Sequence, residues 1–128
     1  MKINKNIRPR VKTNGYRSEW PALKVRNDRY RKARGGTSVF LQLICSKCET
    51  EVAIYQKDGP GSLLRCYFNR FFWPDYLTKL GERPDPKGGT QTTWTCPNCS
   101  FNLGSRTSHV DGRSAYRLVR GAIKKKKI

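Results

Sequence analysis

Two pairs of cysteines are the residues whose type and spacing indicate chemistry most directly. Each pair is separated by two residues, in the segments 45–48 and 96–99. A C-x-x-C turn presents two sulfurs to one centre, and two such turns supply the four thiolates that a closed structural zinc site needs. We therefore predict one structural Zn²⁺ ion, with the ligands Cys45, Cys48, Cys96 and Cys99.

The distance between the two pairs is unusual, because 47 residues separate Cys48 from Cys96. Four-cysteine zinc patterns usually have roughly 15–20 residues there. Loop-closure free energy grows only with the logarithm of loop length, so the longer loop costs about 0.9 kcal/mol more. Zinc binding contributes more than ten times that amount, and the site tolerates the insertion. The alternatives are an iron-sulfur centre, unmetallated thiols and redox chemistry, although no βαβ pattern surrounds either pair.

Two further residues could bind a metal. Cys66 lies among apolar neighbours, where a small buried thiol is the ordinary role of a free cysteine. His109 is the single histidine, and it could replace one cysteine as a ligand or lie in a loop near phosphate or solvent.

Positive charge is concentrated at the two ends of the chain. The 128 residues carry a formal net charge of +18, and residues 1–36 hold 12 basic and 2 acidic residues. Residues 123–128 include four lysines, whereas residues 37–122 are only mildly basic. We predict an extended basic arm over 1–36, a folded domain over 37–122 and a lysine-rich tail over 123–128.

Such ends are typical of nucleic-acid binding, in which basic side chains neutralise phosphates and aromatic rings stack on unpaired bases. Trp20 and Leu23 could instead attach the arm to the domain, and lysines 124–127 could form a solvating tail. The candidate contact residues are Arg8, Arg10, Lys12, Arg17, Trp20, Arg26, Arg29, Tyr30, Arg31, Lys32, Arg34, Lys124, Lys125, Lys126 and Lys127.

Strands are predicted on both sides of the first cysteine pair and before the second. Residues 37–44 and 51–56 are β-branched and apolar, and residues 92–95 form a shorter run of the same kind. Residues 81–90 are rich in proline and glycine and predict a loop. Residues 114–123 are compatible with either a strand or a short helix.

A helix is predicted over residues 62–73, with Ser62 as its cap. Its apolar residues recur at three- and four-residue spacing, which would place them on one helix face and Arg70 largely on the other. The predicted fold is therefore a small α+β domain, with an antiparallel sheet, one covering helix and extended basic termini.

The arrangement of strand, cysteine pair, strand and second cysteine pair resembles the zinc-ribbon superfamily. The resemblance covers the two C-x-x-C turns and their flanking strands and implies Zn²⁺ ligation by Cys45, Cys48, Cys96 and Cys99. In size, basic tails and lysine-rich end, the chain is also similar to small zinc-binding ribosomal proteins. That resemblance implies rRNA as a partner, with neighbouring ribosomal proteins.

Three classes of function are considered for a basic chain with four paired cysteines. The first is a structural RNA-binding protein of a ribonucleoprotein, the ribosome above all. The second is a DNA-binding regulator of transcription or phage type, for which a recognition helix is expected. The third is an enzyme, which we do not expect, because four cysteines close the zinc coordination sphere and no deaminase or zinc-protease motif is present.

Cellular location is predicted from what the sequence lacks. It contains no apolar run long enough for a transmembrane helix, and no apolar secretory segment follows its basic start. We expect a cytoplasmic, ribosome-associated protein with no disulfides, no membrane and no small-molecule substrate, and an organellar location stays open.

Overall fold

The computed structural model describes residues 22–81, 92–108 and 112–128. Within these ranges the chain forms two antiparallel sheets of four strands each and two short α-helices. In chain order the elements are α1 (Arg29–Ala33), β1 (Ser38–Cys45), β2 (Glu51–Asp58), β3 (Arg65–Tyr67), β4 (Phe71–Trp73), α2 (Asp75–Thr78), β5 (Thr93–Thr95), β6 (Asn102–Ser108), β7 (Ser114–Leu118) and β8 (Ile123–Lys127).

Each sheet contains one of the two cysteine-bearing hairpins. The first sheet has the strand order β4-β2-β1-β8, and the second has the order β3-β7-β6-β5. The predicted strands over 37–44, 51–56 and 92–95 are confirmed as β1, β2 and β5. The first cysteine pair lies between β1 and β2, and the second lies between β5 and β6. The fold therefore brings together one hairpin from each sheet.

Aromatic rings from both sheets form the core. Phe71 of the first sheet contacts Trp94 of the second, with ring centroids 5.5 Å apart and planes nearly perpendicular. Trp94 stacks on Tyr116 at 5.6 Å, and Tyr116 contacts Phe68 at 5.0 Å. Offset and edge-to-face pairs of this kind stabilise a core beyond the area that they bury. Packing between the two sheets, with Leu77 of α2 also buried, supplies the apolar stabilisation of this fold.

The predicted helix over residues 62–73 is wrong. This segment forms β3, a 3-10 turn at Phe68–Arg70, and β4. Strand β3 pairs with β7 and strand β4 pairs with β2, so the segment joins the two sheets. The apolar spacing of this segment also fits a helix, but its aromatic side chains favour strands. Pairing with distant strands therefore determined its secondary structure. Arg70, predicted on the exposed face, is 1% exposed.

The lysine-rich end also differs from its prediction. Residues 114–118, for which a strand and a short helix were both compatible, form a strand. Residues 123–127 form a second strand rather than a tail. Strand β8 pairs antiparallel with β1 from Cys45–Ile123 to Leu41–Lys127. The lysines are therefore held in register at the edge of the first sheet.

The described part of the predicted basic arm is packed against the folded domain. Asp28 caps α1 by accepting hydrogen bonds from the backbone N–H groups of Tyr30 and Arg31. The Arg26 backbone N–H donates to Gln56 Oε1 at 2.7 Å, and its guanidinium lies 4.2 Å from the centre of the Phe72 ring. Residues 26–34 of the predicted arm therefore contact the domain that is predicted over 37–122.

Candidate metal centre

The two C-x-x-C turns have the same backbone hydrogen bonds. The N–H of Cys45 donates to the carbonyl oxygen of Thr50, and the N–H of Cys96 donates to that of Phe101, each at 2.9 Å. Glu49 and Ser100, which follow the second cysteine of each pair, have φ values of 63° and 66°. This left-handed residue turns the chain back into the next strand and directs both sulfurs of a pair to one side.

The four sulfur atoms lie at the corners of a small cluster. The Sγ atoms of Cys45 and Cys99 are 3.7 Å apart, and those of Cys48 and Cys96 are 3.6 Å apart. All four lie within 4.8 Å of one another, and no pair is a disulfide. Four sulfurs bound to one tetrahedral ion at roughly 2.3 Å would be about 3.8 Å apart. The cluster could therefore hold one metal ion, with one sulfur pair from each sheet.

The environments of the four thiols differ. Burial raises the pKa of Cys45 and raises that of Cys96 to about 12. Burial also acts to raise the pKa of Cys48, but hydrogen bonds with Thr50 and Asn98 outweigh it and lower that pKa to about 6. Hydrogen bonding therefore favours the thiolate form of Cys48, whereas burial favours the protonated thiols of Cys45 and Cys96 unless a cation compensates it.

Thr50 and Asn98 connect the two halves of the cluster and were not predicted from the sequence. The Thr50 Oγ1 atom lies 3.1 Å from Cys48 Sγ, and the Asn98 side-chain amide donates to the same oxygen at 3.0 Å. The Thr50 hydroxyl oxygen accepts this hydrogen bond from Asn98, so the hydroxyl can donate its own proton to a Cys48 thiolate. The only sequence signal for these residues is their polar character within or beside the cysteine pairs.

Replacing Thr50 with valine should lower affinity for a thiolate-bound metal about 10- to 100-fold, because second-shell hydrogen bonds orient and stabilise metal ligands. Thr50 is 1% exposed, and valine preserves its shape while removing the hydroxyl. Competition with a chromophoric zinc chelator would measure the change. Thr95→Val is the matched control, because Thr95 also neighbours a cysteine but is exposed. Equal affinities for T50V and T95V would contradict a role for the Thr50 hydroxyl.

Only some of the predicted nucleic-acid contacts fall in the described part of the chain. Arg29 and Lys32 are exposed on α1, whereas Arg31 donates to Ser38 Oγ and Arg34 donates to the carbonyl oxygens of Asp58 and Pro60. Arg26 and Tyr30 pack against other side chains. The predicted contacts outside the described residues are Arg8, Arg10, Lys12, Arg17 and Trp20, and the alternative metal ligand His109 also lies outside them.

The lysines of β8 alternate between the two faces of the first sheet. Lys125 and Lys127 are opposite Leu43 and Leu41, and Lys124 and Lys126 are opposite Ile44 and Gln42. Lys124 pairs with Glu49 at 3.3 Å, and Lys126 is half-buried. Lys125 and Lys127 are exposed, and they form the accessible cationic edge of this sheet.

A basic feature of the second sheet was missed. Its four strands contain Arg65, Arg106 and Arg117 and no acidic residue, and Arg113 and Arg120 flank β7. Residues 92–108 and 112–128 likewise contain no aspartate or glutamate. A count of acidic residues along the sequence would have shown this charge asymmetry, although not which sheet bears it.

No protein-family model matches the chain, and no curated protein or solved structure matches it either. None of the helices in the described residues is long and apolar enough to cross a membrane. The described residues therefore form a small fold of mainly antiparallel sheets, with four cysteines that could hold a metal ion.

Proposed function

We propose that this chain is a zinc-ribbon-type protein that binds RNA as a structural component of a ribonucleoprotein such as the ribosome. The observation that carries this proposal is the charge of its C-terminal segment. Residues 112–128 contain seven basic and no acidic residues, and four of the seven are lysines on one edge strand. The cytoplasm is the expected location.

Zinc is the metal that best suits the cluster. Four thiolates in tetrahedral arrangement favour zinc or an iron-sulfur centre, and the spacing between sulfurs matches a single tetrahedral ion. Four protein ligands leave no open position for substrate, so a structural rather than catalytic ion is proposed. The ion would stabilise the contact between the two sheets at the end where their hairpins meet.

A polyanion is the partner that suits the surface. The described residues include 19 of the 27 basic side chains but only five of the nine acidic ones. Of those five acids, Asp28 and Asp58 are bound to Arg70, and Glu51 is fully buried. Neutralising phosphates and releasing their counterions would stabilise binding of such a surface to nucleic acid.

RNA is proposed rather than DNA because of the helices. The two described α-helices have 5 and 4 residues, too short to span a major groove as a recognition helix. A rigid sheet edge with basic side chains suits recognition of RNA by shape and phosphate position. The DNA-binding regulator remains the alternative class.

Replacing Lys125 and Lys127 with glutamine should weaken RNA binding and reduce the slope of log affinity against log salt concentration by about 1.4, or about 0.7 per lost phosphate contact. Fluorescence anisotropy with a labelled single-stranded RNA over a salt series would measure it. The matched control is K24Q/K79Q, which removes the same charge from two exposed lysines elsewhere.

Lysines on an edge strand can also serve only to prevent pairing with another chain. That role predicts equal salt slopes for both double variants, together with a tendency of K125Q/K127Q to self-associate. Sedimentation of tagged protein from its native cells, with and without ribonuclease, tests the ribonucleoprotein assignment separately. Migration at the top of the gradient under both conditions would refute it.

A further inference from the structure

A cavity of about 330 Å³ opens between α1, the loop from β2 to β3, and strand β3. Its volume is at the lower end of the range for small-molecule and cofactor sites. Its walls include Arg34, Lys57, Arg65 and Arg113, together with Tyr30 and Tyr67.

Three of these cations are without carboxylate partners in the described part of the chain. Arg34 donates to main-chain carbonyl oxygens, Lys57 donates to the carbonyl oxygen of Gly59, and the ion pairs found there do not include Arg65. The acidic residue that lines the cavity is Asp58, and its oxygens accept from Ser38, Gln56 and Arg70. The cavity is therefore electropositive, and an anion is the ligand that complements it.

Gly59 permits this arrangement of cations. It has a φ of +77°, and a Cβ atom there would lie 2.8 Å from the carbonyl oxygen of Arg34. Glycine thus lets the residue that follows α1 pack closely against the end of β2. The close approach places Arg34 at the rim of the cavity with Lys57.

Planar groups form another wall. The guanidinium carbon of Arg113 lies 4.0 Å from the centre of the Tyr30 ring and 3.7 Å from that of Tyr67, so the guanidinium is held between two rings. Leu64, which also lines the cavity, is 63% exposed. Because the rings cover both sides of the guanidinium, this wall offers ring edges and the exposed Leu64 side chain, against which an unpaired base can pack.

Two arginines beside the cavity occupy paired positions on neighbouring strands. Arg65 and Arg117 are directly opposite on neighbouring strands β3 and β7, on the same face of a sheet that has no acidic residue in its strands. Like charges directly opposite destabilise a sheet. A bound polyanion would relieve this repulsion, which supports a ligand rather than a purely structural role for the pair.

We propose that this cavity binds one phosphate-bearing nucleotide of a single-stranded RNA, an inference that rests on the proposed RNA-binding function. Arg34, Lys57 and Arg65 contact the phosphate. The base packs against the edges of the wall formed by Tyr30, Arg113 and Tyr67, beside Leu64. The same chemistry would accept a free nucleoside monophosphate, and the experiment separates the two sources.

Arg65→Gln and Arg117→Gln form a matched pair, because each removes one charge from the same face of the second sheet and only Arg65 lines the cavity. We expect R65Q to lower affinity for a labelled oligouridine about tenfold and R117Q about twofold, since a charge-assisted contact at a built site exceeds a general electrostatic effect. Tyr67→Leu should also weaken binding several-fold, and Tyr67→Phe should restore it. Both arginine variants should fold, because each removes a repulsion.

Titration with unlabelled UMP distinguishes the sources. If the unaltered protein binds UMP and R65Q binds it more weakly, the cavity accepts a free nucleotide. If R65Q weakens oligouridine binding and the unaltered protein does not bind UMP, the cavity acts only on a nucleotide within a strand. Equal losses of oligouridine affinity in R65Q and R117Q would overturn the proposed binding site in the cavity but not the proposed RNA-binding function. If the unaltered protein binds UMP through Arg65 but binds no RNA, the RNA-binding function is refuted and the cavity is a site for a free nucleotide only. Displacement by polyglutamate at the same affinity would overturn the nucleotide assignment.

Discussion

Removal of the proposed zinc ion should unfold the protein, and Cys45→Ser or Cys96→Ser should prevent it from folding stably. The reason is the position of the cluster, which joins the hairpin of one sheet to the hairpin of the other. Apparent binding free energies of structural zinc are roughly 10–16 kcal/mol, comparable to or larger than the roughly 5–15 kcal/mol by which domains are stable. Far-ultraviolet circular dichroism and thermal unfolding, with and without a chelator, would measure the loss.

Cys66→Ala is the control for this experiment. Cys66 is fully buried, as predicted, and its pKa is raised by burial, but it does not belong to the metal cluster. We expect C66A to retain one zinc ion per chain and a cooperative transition, with only the modest loss of a small buried side chain. A C96S protein that is folded and free of metal would contradict the structural role of the ion.

Replacing Arg70 with methionine should lower the free energy of unfolding by about 3–5 kcal/mol, because it leaves carboxylates uncompensated near the protein interior. Arg70 is 1% exposed, and its Nη2 atom lies 2.6 Å from Asp28 Oδ1 while its Nε lies 2.8 Å from Asp58 Oδ2. Chemical denaturation of R70M and of the unaltered protein would measure the difference. Arg117→Met is the control, since exposed positions change stability by roughly 0.5 kcal/mol or less.

The effect should depend on pH in a definite direction. Partial burial acts to raise the pKa of Asp28, but hydrogen bonds and the charge of Arg70 outweigh it and hold that pKa below its usual value. The stabilisation from the Asp28–Arg70 ion pair is therefore present above the pKa of Asp28 in the unfolded chain, roughly 3.9. It is lost as the pH falls through the lower pKa of Asp28 in the folded protein. The difference between R70M and the unaltered protein should narrow in acid. A constant difference across that range would assign the loss to packing alone.

The Arg70 contacts also define how the basic N-terminal segment should be tested. Asp28 lies within the predicted arm, yet its carboxylate is bound to Arg70. Deleting residues 1–35 would therefore destabilise the core and confuse folding with RNA binding. A deletion that ends before residue 22 removes the predicted contacts at Arg8, Arg10, Lys12, Arg17 and Trp20 while keeping Asp28.

The metal cluster was predictable from the sequence, but the covering helix was not. Spacing within each cysteine pair is a local property, because a two-residue turn between strands brings two sulfurs together wherever it lies. The spacing of the apolar residues in 62–73 fits a helix as well as it fits strands. Whether this segment forms a helix or strands depended on pairing partners far away in the chain. Strand β3 pairs with residues 115–117, and β4 pairs with residues of β2.

The net charge and the identity of the basic residues were likewise determined by the sequence alone, as were the four candidate ligands. Tertiary structure decided which basic residues are available and which are occupied within the fold. Lys125 and Lys127 lie exposed on an edge strand, whereas Arg70 is enclosed by Asp28 and Asp58. The pairing of Arg65 with Arg117 and the placement of Arg113 between two tyrosines also arise only from folding. The physical reason is that a charge acts through its distance from other charges and from water, and strand pairing between distant residues sets those distances.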